Sequence, residues 1–166
     1  MADALFITRQ DISVFTAANG GIDDDKLLPF LKTAQDKHVQ IYLGTELYNA
    51  IKTKIEGSTL TGDYLTLVRD YIKDMMLHWA MVEYLPFGSV NIANGGIYQK
   101  NPENSTPITR EHVDYLVEKS RSNAQFYTDR MIDYLRFNNS KFPEYYSNSN
   151  EDLYPDDVAN FVGIVL

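Results

Sequence analysis

Apolar residues recur at intervals of three and four along most of this chain, and that spacing predicts α-helices. A first helix is predicted to begin near Asp24 or Asp25, because acidic side chains favour the positive end of a helix dipole. Pro29 is expected in its first turn, since a proline deeper in a helix removes a backbone hydrogen bond. Gly44 is predicted to end the helix in a left-handed conformation. The apolar face consists of Leu27, Leu31, Ala34, His38 and Ile41.

Two further helices are predicted before residue 89. Thr45 is expected to cap the second helix, which Gly57 closes. Gly62 opens the third helix, and Pro86 and Gly88 stop it. The apolar positions of the second helix are Leu47, Tyr48, Ile51 and Ile55. Those of the third are Tyr64, Leu67, Val68, Tyr71, Ile72, Met75, Met76, Trp79, Val82 and Leu85. An arc this broad predicts a central helix that packs on two sides.

Residues 89–99 change to a different pattern. Apolar residues flank Asn94-Gly95-Gly96, which predicts a β-hairpin or a hairpin-like loop. Thr109 is then predicted to cap the longest helix, which runs to Phe137 with Val113, Leu116, Val117, Ala124, Tyr127, Met131 and Leu135 at helical spacing. At about 1.5 Å per residue, this helix would reach about 40 Å. Because a compact core of this size needs less, one end is expected to project or to meet a neighbour.

The two ends of the chain differ from its middle. Leu5 to Thr8 reads as a short strand or arm, with Thr8 capping a brief helical turn. Near the C-terminus, a polar linker precedes an apolar tail. This tail either returns to its own domain or docks on another subunit by strand addition or groove filling. The predicted domains are therefore a helical domain with an N-terminal arm (1–146) and a linker with its tail (147–166). The predicted fold class is mainly α, a helical bundle of about four main helices with a small β-hairpin and an extended C-terminal arm.

The composition of the chain restricts the classes of function that we expect for it. A length of 166 residues favours one domain with a self-sufficient core. The absence of cysteine excludes thiol catalysis, Cys-based zinc sites and disulfide frameworks. A net charge of -8 argues against nucleic-acid backbone binding as the main task. Neither a secretory signal nor a membrane-spanning run is expected from the sequence. The 12 tyrosines suit half-buried and interface positions.

Candidate chemistry is sparse. The three histidines, His38, His78 and His112, fall on different predicted helices, whereas a zinc site needs convergent ligands. The run from Asp23 to Asp25 lacks the later ligand and glycine of a calcium loop. No catalytic motif is visible. We therefore expect no catalytic, cofactor-binding or metal-binding residues, and a structural protein rather than an enzyme.

Several short motifs, in their order and spacing, resemble a known family. They are Ile7-Thr8-Arg9-Gln10-Asp11-Ile12, Asp25-Lys26-Leu27-Leu28-Pro29-Phe30-Leu31 with Ala34-Gln35, Tyr42-Leu43-Gly44-Thr45-Glu46-Leu47-Tyr48, Ile92-Ala93-Asn94-Gly95-Gly96-Ile97, Ala124-Gln125-Phe126-Tyr127 with Met131-Ile132-Asp133-Tyr134-Leu135, and Phe142-Pro143. This set resembles small helical virion proteins of the crAss-like tailed phages of gut Bacteroidales. More distantly, it is similar to the head–tail connector adaptors that form rings under the portal. The resemblance runs from Leu5 to Tyr146 and does not cover the tail.

This resemblance implies a neck ring protein of the virion, made in the host cytoplasm. Such proteins close into a ring, usually of twelve copies, and contact the portal protein and adjacent neck or tail proteins. DNA passes through the lumen without specific binding, to which an acidic surface is suited; no membrane is involved. The alternative from another class is a cytoplasmic helical protein-binding or adaptor module without a virion role.

Two segments are predicted to form interfaces, because they carry apolar side chains that the local helices do not cover. The first is the hairpin, with Ile92, Asn94, Ile97 and Tyr98. The second is the tail, with Phe161, Val162, Ile164, Val165 and Leu166.

Overall fold

Helices form the body of the structure, as the spacing of apolar residues predicted. The computed structural model describes residues 4–14, 24–88, 90–99, 108–147 and 152–158. Its α-helices are α1 (Arg9–Val14), α2 (Asp24–Ala34), α3 (Gln40–Glu56), α4 (Gly62–Leu67), α5 (Lys73–Gly88), α6 (Arg110–Phe137) and α7 (Pro143–Tyr146). Two π-helical turns, Gln35–Val39 and Val68–Ile72, join α2 to α3 and α4 to α5, and a 3₁₀ turn, Asn139–Lys141, precedes α7. One antiparallel pair, β1 (Val90–Ala93) and β2 (Gly96–Gln99), forms a hairpin.

Helix α5 lies at the centre of the core, packed against α2 on one side and α6 on the other. Its buried side chains point in nearly every direction around the helix: Met75, Met76, Leu77, Trp79, Ala80, Met81 and Val82. This confirms the central helix that the broad apolar arc predicted. Burying one large apolar side chain contributes about 1.5–3 kcal/mol, so α5 is a principal source of stability.

The first π turn changes which side chains of the following helix are buried. A π turn holds one more residue than an α turn, and it therefore rotates the later positions around the axis. Leu27, Leu31 and Ala34 are buried before the turn, as predicted. Within the turn, His38 is half-buried, and beyond it the predicted face was wrong at Ile41, which is exposed. The buried positions there are Val39, Tyr42 and Leu43.

Two details of the predicted helix boundaries are corrected. Pro29 is the sixth residue of α2 and lies beyond its first turn. It is on the exposed side, where water can reach the carbonyl group of the preceding turn. Gly44 does not end a helix in the left-handed helical conformation. Instead, it interrupts α3 with φ 72° and ψ 159°, a region open essentially only to glycine.

The N-terminal arm is held as the sequence predicted. The Thr8 backbone N–H donates to Asp11 Oδ2 at 2.8 Å, and the Asp11 N–H donates to Thr8 Oγ1 at 3.3 Å. This reciprocal pair caps α1. Lys73 Nζ of α5 contacts Asp11 Oδ1 at 2.5 Å, and Phe6 and Ile7 are buried. The arm is therefore part of the core.

Helix α6 has the predicted extent. Thr109 caps it by accepting a hydrogen bond from the His112 N–H, and the helix ends at Phe137. Its 28 residues span about 42 Å at 1.5 Å per residue. The first fully buried residue is Ala124. Val117 is partly buried against the core, so only the first two turns of α6 project beyond it.

Candidate interaction surfaces

The predicted hairpin surface lies on the observed hairpin. Its register pairs Ile92 with Ile97 and Asn91 with Tyr98, and the chain turns at Asn94-Gly95. The positive φ falls on Gly96, at 135°. Ile97 is 72% exposed, and Asn94 is also exposed. The hairpin thus presents a large apolar side chain to solvent.

The predicted tail residues Phe161, Val162, Ile164, Val165 and Leu166 lie outside the described residues. The segment that precedes them, residues 152–158, lies against its own domain; we call it the strap.

The strap binds on both sides of Gly44. Thr45 N–H donates to the carbonyl of Leu153 at 3.0 Å, and the N–H of Asp156 donates to the carbonyl of Ile41 at 2.9 Å. The Thr45 hydroxyl also donates to Asp152 Oδ2 at 2.7 Å. Thr45, predicted as a helix cap, therefore holds the strap instead. At Gly44, the corner of α3, the Thr45 N–H and the Ile41 carbonyl do not pair with each other as they would in a continuous α-helix. The strap provides their hydrogen-bond partners instead.

Three exposed aromatic rings lie on α6 and were missed from the sequence. Tyr115, Phe126 and Phe137 are 68%, 63% and 89% exposed. They are spaced by 11 residues, about three helical turns, so they share one side of the helix. This interval was visible in the sequence. However, the three residues lie outside the stripe of apolar positions on α6 that faces the core.

A partly buried polar cluster joins the first π turn to α5 and α6. The His38 ring stacks on Trp79, with centroids 4.0 Å apart and planes 7° from parallel. His38 Nε2 lies 2.9 Å from Glu83 Oε1, which also accepts from Lys37 Nζ at 2.8 Å. Trp79 Nε1 donates to Thr128 Oγ1 at 3.1 Å. The cluster ties three segments together through hydrogen bonds and stacking.

Burial and hydrogen bonds together set the pKa values of the ionisable groups in and near this cluster. Burial lowers the pKa of His38, and its hydrogen bond with Glu83 opposes that shift without cancelling it. Burial also lowers the pKa of His78, whose ring stacks on Tyr127. For Glu83, burial alone would raise the pKa, but hydrogen bonds from Lys37 and His38 lower it. The contact at neutral pH is therefore a neutral imidazole that donates Nε2–H to a carboxylate.

We expect the free energy of unfolding to fall as the pH drops below about 6.5, the ordinary pKa of histidine. The unfolded chain then binds more protons than the folded chain, because the folded pKa values of His38 and His78 are lowered. Denaturant titrations between pH 7 and pH 5 measure this slope. Replacing either histidine by Gln should reduce it. An NMR titration midpoint of His38 above 6.5 would show that attraction to Glu83 outweighs burial.

Basic residues on α6 lie largely beside acidic ones, as expected for a solvated face. Arg121 pairs with Glu118 at 2.6 Å, and Arg110 lies 3.8 Å from Asp114. Across residues 4–14, 24–88, 90–99, 108–147 and 152–158, no three His, Asp or Glu side chains gather as metal ligands. No helix in these ranges is both long enough and apolar enough to cross a membrane.

The fold and these surfaces define a small, mainly helical domain with a projecting hairpin and helix. The model of DUF6712, a family of unknown function, matches residues 39–153, well over half of the chain. The chain belongs to this family. The matched range begins at the end of the first π turn and includes the Gly44 corner, the hairpin, α6 and the first two residues of the strap. No curated protein and no solved structure matches the chain.

Proposed function

We propose that this chain is a structural virion protein, a head–tail connector that forms a ring between the portal and the tail. The observation that carries the proposal is the placement of exposed apolar side chains on the elements that project from the core. Ile97 lies on the hairpin, and Tyr115 and Leu116 lie on the projecting first turns of α6. Exposed apolar side chains that adjoin one another form patches, and such patches mark interaction sites.

A ring requires two different patches on each copy, because the contact is repeated head to tail around an axis. The hairpin supplies one candidate patch, and the tail that follows the strap supplies another. The net charge of -8 supports a lumen that repels the DNA backbone and lets it slide. The sequence motifs from Leu5 to Tyr146 support the same assignment by resemblance.

Electron microscopy of the purified chain, mixed with the portal protein from the same genome, tests this function. We expect rings of about twelve copies stacked on the portal, following the closed symmetry of such assemblies. The measurement is made on the mixture, since some adaptors close only on the portal. A chain that never joins the portal would favour the alternative, a helical protein-binding module without a virion role.

Ile97→Asp should prevent ring formation, because it places a charge on the hairpin surface without touching the core. Leu65→Asp on α4 is the matched control, since Leu65 is also exposed and lies on a different element. Deletion of residues 159–166 tests the second surface and should leave a folded chain that does not assemble. Normal rings from both the hairpin variant and the truncation would contradict the predicted interfaces.

A further inference from the structure

The outer side of α6 is apolar along a single line. Tyr115, Phe126 and Phe137 follow that line at 11-residue intervals. Ala124 and Leu135 are fully buried on the opposite side of the helix, against the core. Because 11 residues make about three turns, the rings form a nearly straight row that the described part of the chain leaves exposed.

Two opposite charges lie on the same row, placed symmetrically about its middle ring. Lys119 is seven residues before Phe126, and Asp133 is seven residues after it. Seven residues make about two turns, which keeps both charges in line with the rings. Both side chains are exposed, and neither forms an ion pair with another described residue. Along the row, the three aromatic side chains therefore alternate with one cation, between the first and second, and one anion, between the second and third.

We propose that this row packs against the same row of a second copy, with the two α6 helices antiparallel about a two-fold axis at Phe126. A two-fold contact must be self-complementary, and this pattern is. Phe126 meets the partner's Phe126, and Tyr115 meets the partner's Phe137. Lys119 meets the partner's Asp133, and this charge pair occurs twice.

The register and direction follow from the same pattern. A shift by one 11-residue step leaves one ring of each copy without a partner. A parallel arrangement in register places Lys119 against the partner's Lys119, and like charges repel. The antiparallel register centred on Phe126 matches all three rings and both charges.

The three aromatic rings supply about half of the area that such a contact needs. Aromatic side chains bury about 150–250 Å² each, so the exposed parts of three rings supply roughly 400 Å² per copy. That is about half of the roughly 800 Å² that each partner buries in a stable interface. The arrangement also places the projecting first turns of α6 along the core-supported half of the partner's helix. This dimer rests on α6 alone and does not depend on the proposed function. It is a two-fold contact, distinct from the head-to-tail contact that closes a ring.

Cross-linking between two positions tests the register. Since the chain has no cysteine, Lys119→Cys and Asp133→Cys each introduce a single thiol and leave all three rings in place. A short bis-maleimide should link the two variants when they are mixed, and neither variant alone. Thiols at the same position would lie about 21 Å apart along the helix axes in the proposed dimer. If each variant alone were cross-linked as efficiently as the mixture, or if the mixture were not cross-linked at all, the proposed arrangement would be wrong.

The mass of the free chain provides the second measurement. The unmodified chain, of 19.0 kDa, should have the mass of two copies by light scattering, and Phe126→Asp should have the mass of one. Ile97→Asp, the hairpin variant, should remain a dimer. An unmodified chain that forms the dimer but never assembles on the portal would argue against the proposed function alone. A single-copy mass for the unmodified chain at every accessible concentration would overturn the dimer alone.

Discussion

Gly44→Ala is expected to lower the free energy of unfolding by about 3 kcal/mol or more. Two independent causes contribute. The backbone at Gly44, with φ 72° and ψ 159°, is strained for any residue with a Cβ. A Cβ at this position would also lie 2.7 Å from both Cδ and Cγ of Pro155 in the strap. Because the ring of Pro155 is rigid, the strap has to move. Chemical denaturation of the two proteins measures the loss.

Gly62→Ala is the matched control for the steric cause. Gly62 also has a positive φ, 59°, but a Cβ there would have no neighbouring atom within 4 Å. We therefore expect only conformational strain, of about 1–2 kcal/mol. Equal losses from the two substitutions would show that the contact with Pro155 contributes nothing.

A double-mutant cycle isolates the strap. In a Pro155→Ala background, Gly44→Ala should cost less, because the ring atoms that it would meet are gone. The remaining cost is the backbone strain, together with the close approach of the Cβ to the backbone nitrogen of residue 155, at 3.0 Å. Strictly additive effects would contradict a direct contact between the corner of α3 and the strap.

Gln35→Met is expected to lower the free energy of unfolding by about 2–4 kcal/mol, because it leaves buried polar groups without partners. Gln35 is fully buried in the first π turn. Its Oε1 accepts from the N–H of Phe6, and its Nε2 donates to the carbonyl of Ala4, both at 2.9 Å. Nε2 also lies 3.0 Å from the Tyr48 hydroxyl. Methionine has a similar length and none of these hydrogen bonds, so the N-terminal arm should detach. Hydrogen exchange at the Phe6 amide reports this directly.

Gln125→Met on α6 is the control for replacing an amide by a thioether. Gln125 is half-buried and donates to Asp129 of the same helix at 3.0 Å. Its loss should cost about 0.5 kcal/mol, because both groups remain accessible to water. If Gln35→Met were as mild as this control, or if exchange at Phe6 were unchanged, the amide would not be what holds the arm.

Local signals in the sequence predicted the elements well. Thr8 capped α1, Gly62 opened α4, Thr109 capped α6, and the Asn94-Gly95 turn joined two strands, because each of these depends on a few adjacent residues. The candidate surfaces were predicted only in part. Ile97 is exposed on the hairpin as expected, but the ring row of α6 was missed. The three aromatic rings share one side of α6, but they recur only every third turn and so lack the apolar residues at intervals of three and four that mark a core face.

The sequence by itself determined the helical class, the position of α5 between two layers and the ends of α6, since periodicity and caps are properties of neighbouring residues. Only the tertiary structure decided that Ile41 faces solvent, that Gln35 is buried under the arm, and that the strap closes over Gly44. The reason is physical. One extra residue in a π turn rotates every later side chain, and a hydrogen bond such as that between Thr45 and Asp152 joins residues 107 positions apart. No local pattern encodes where two such distant segments meet.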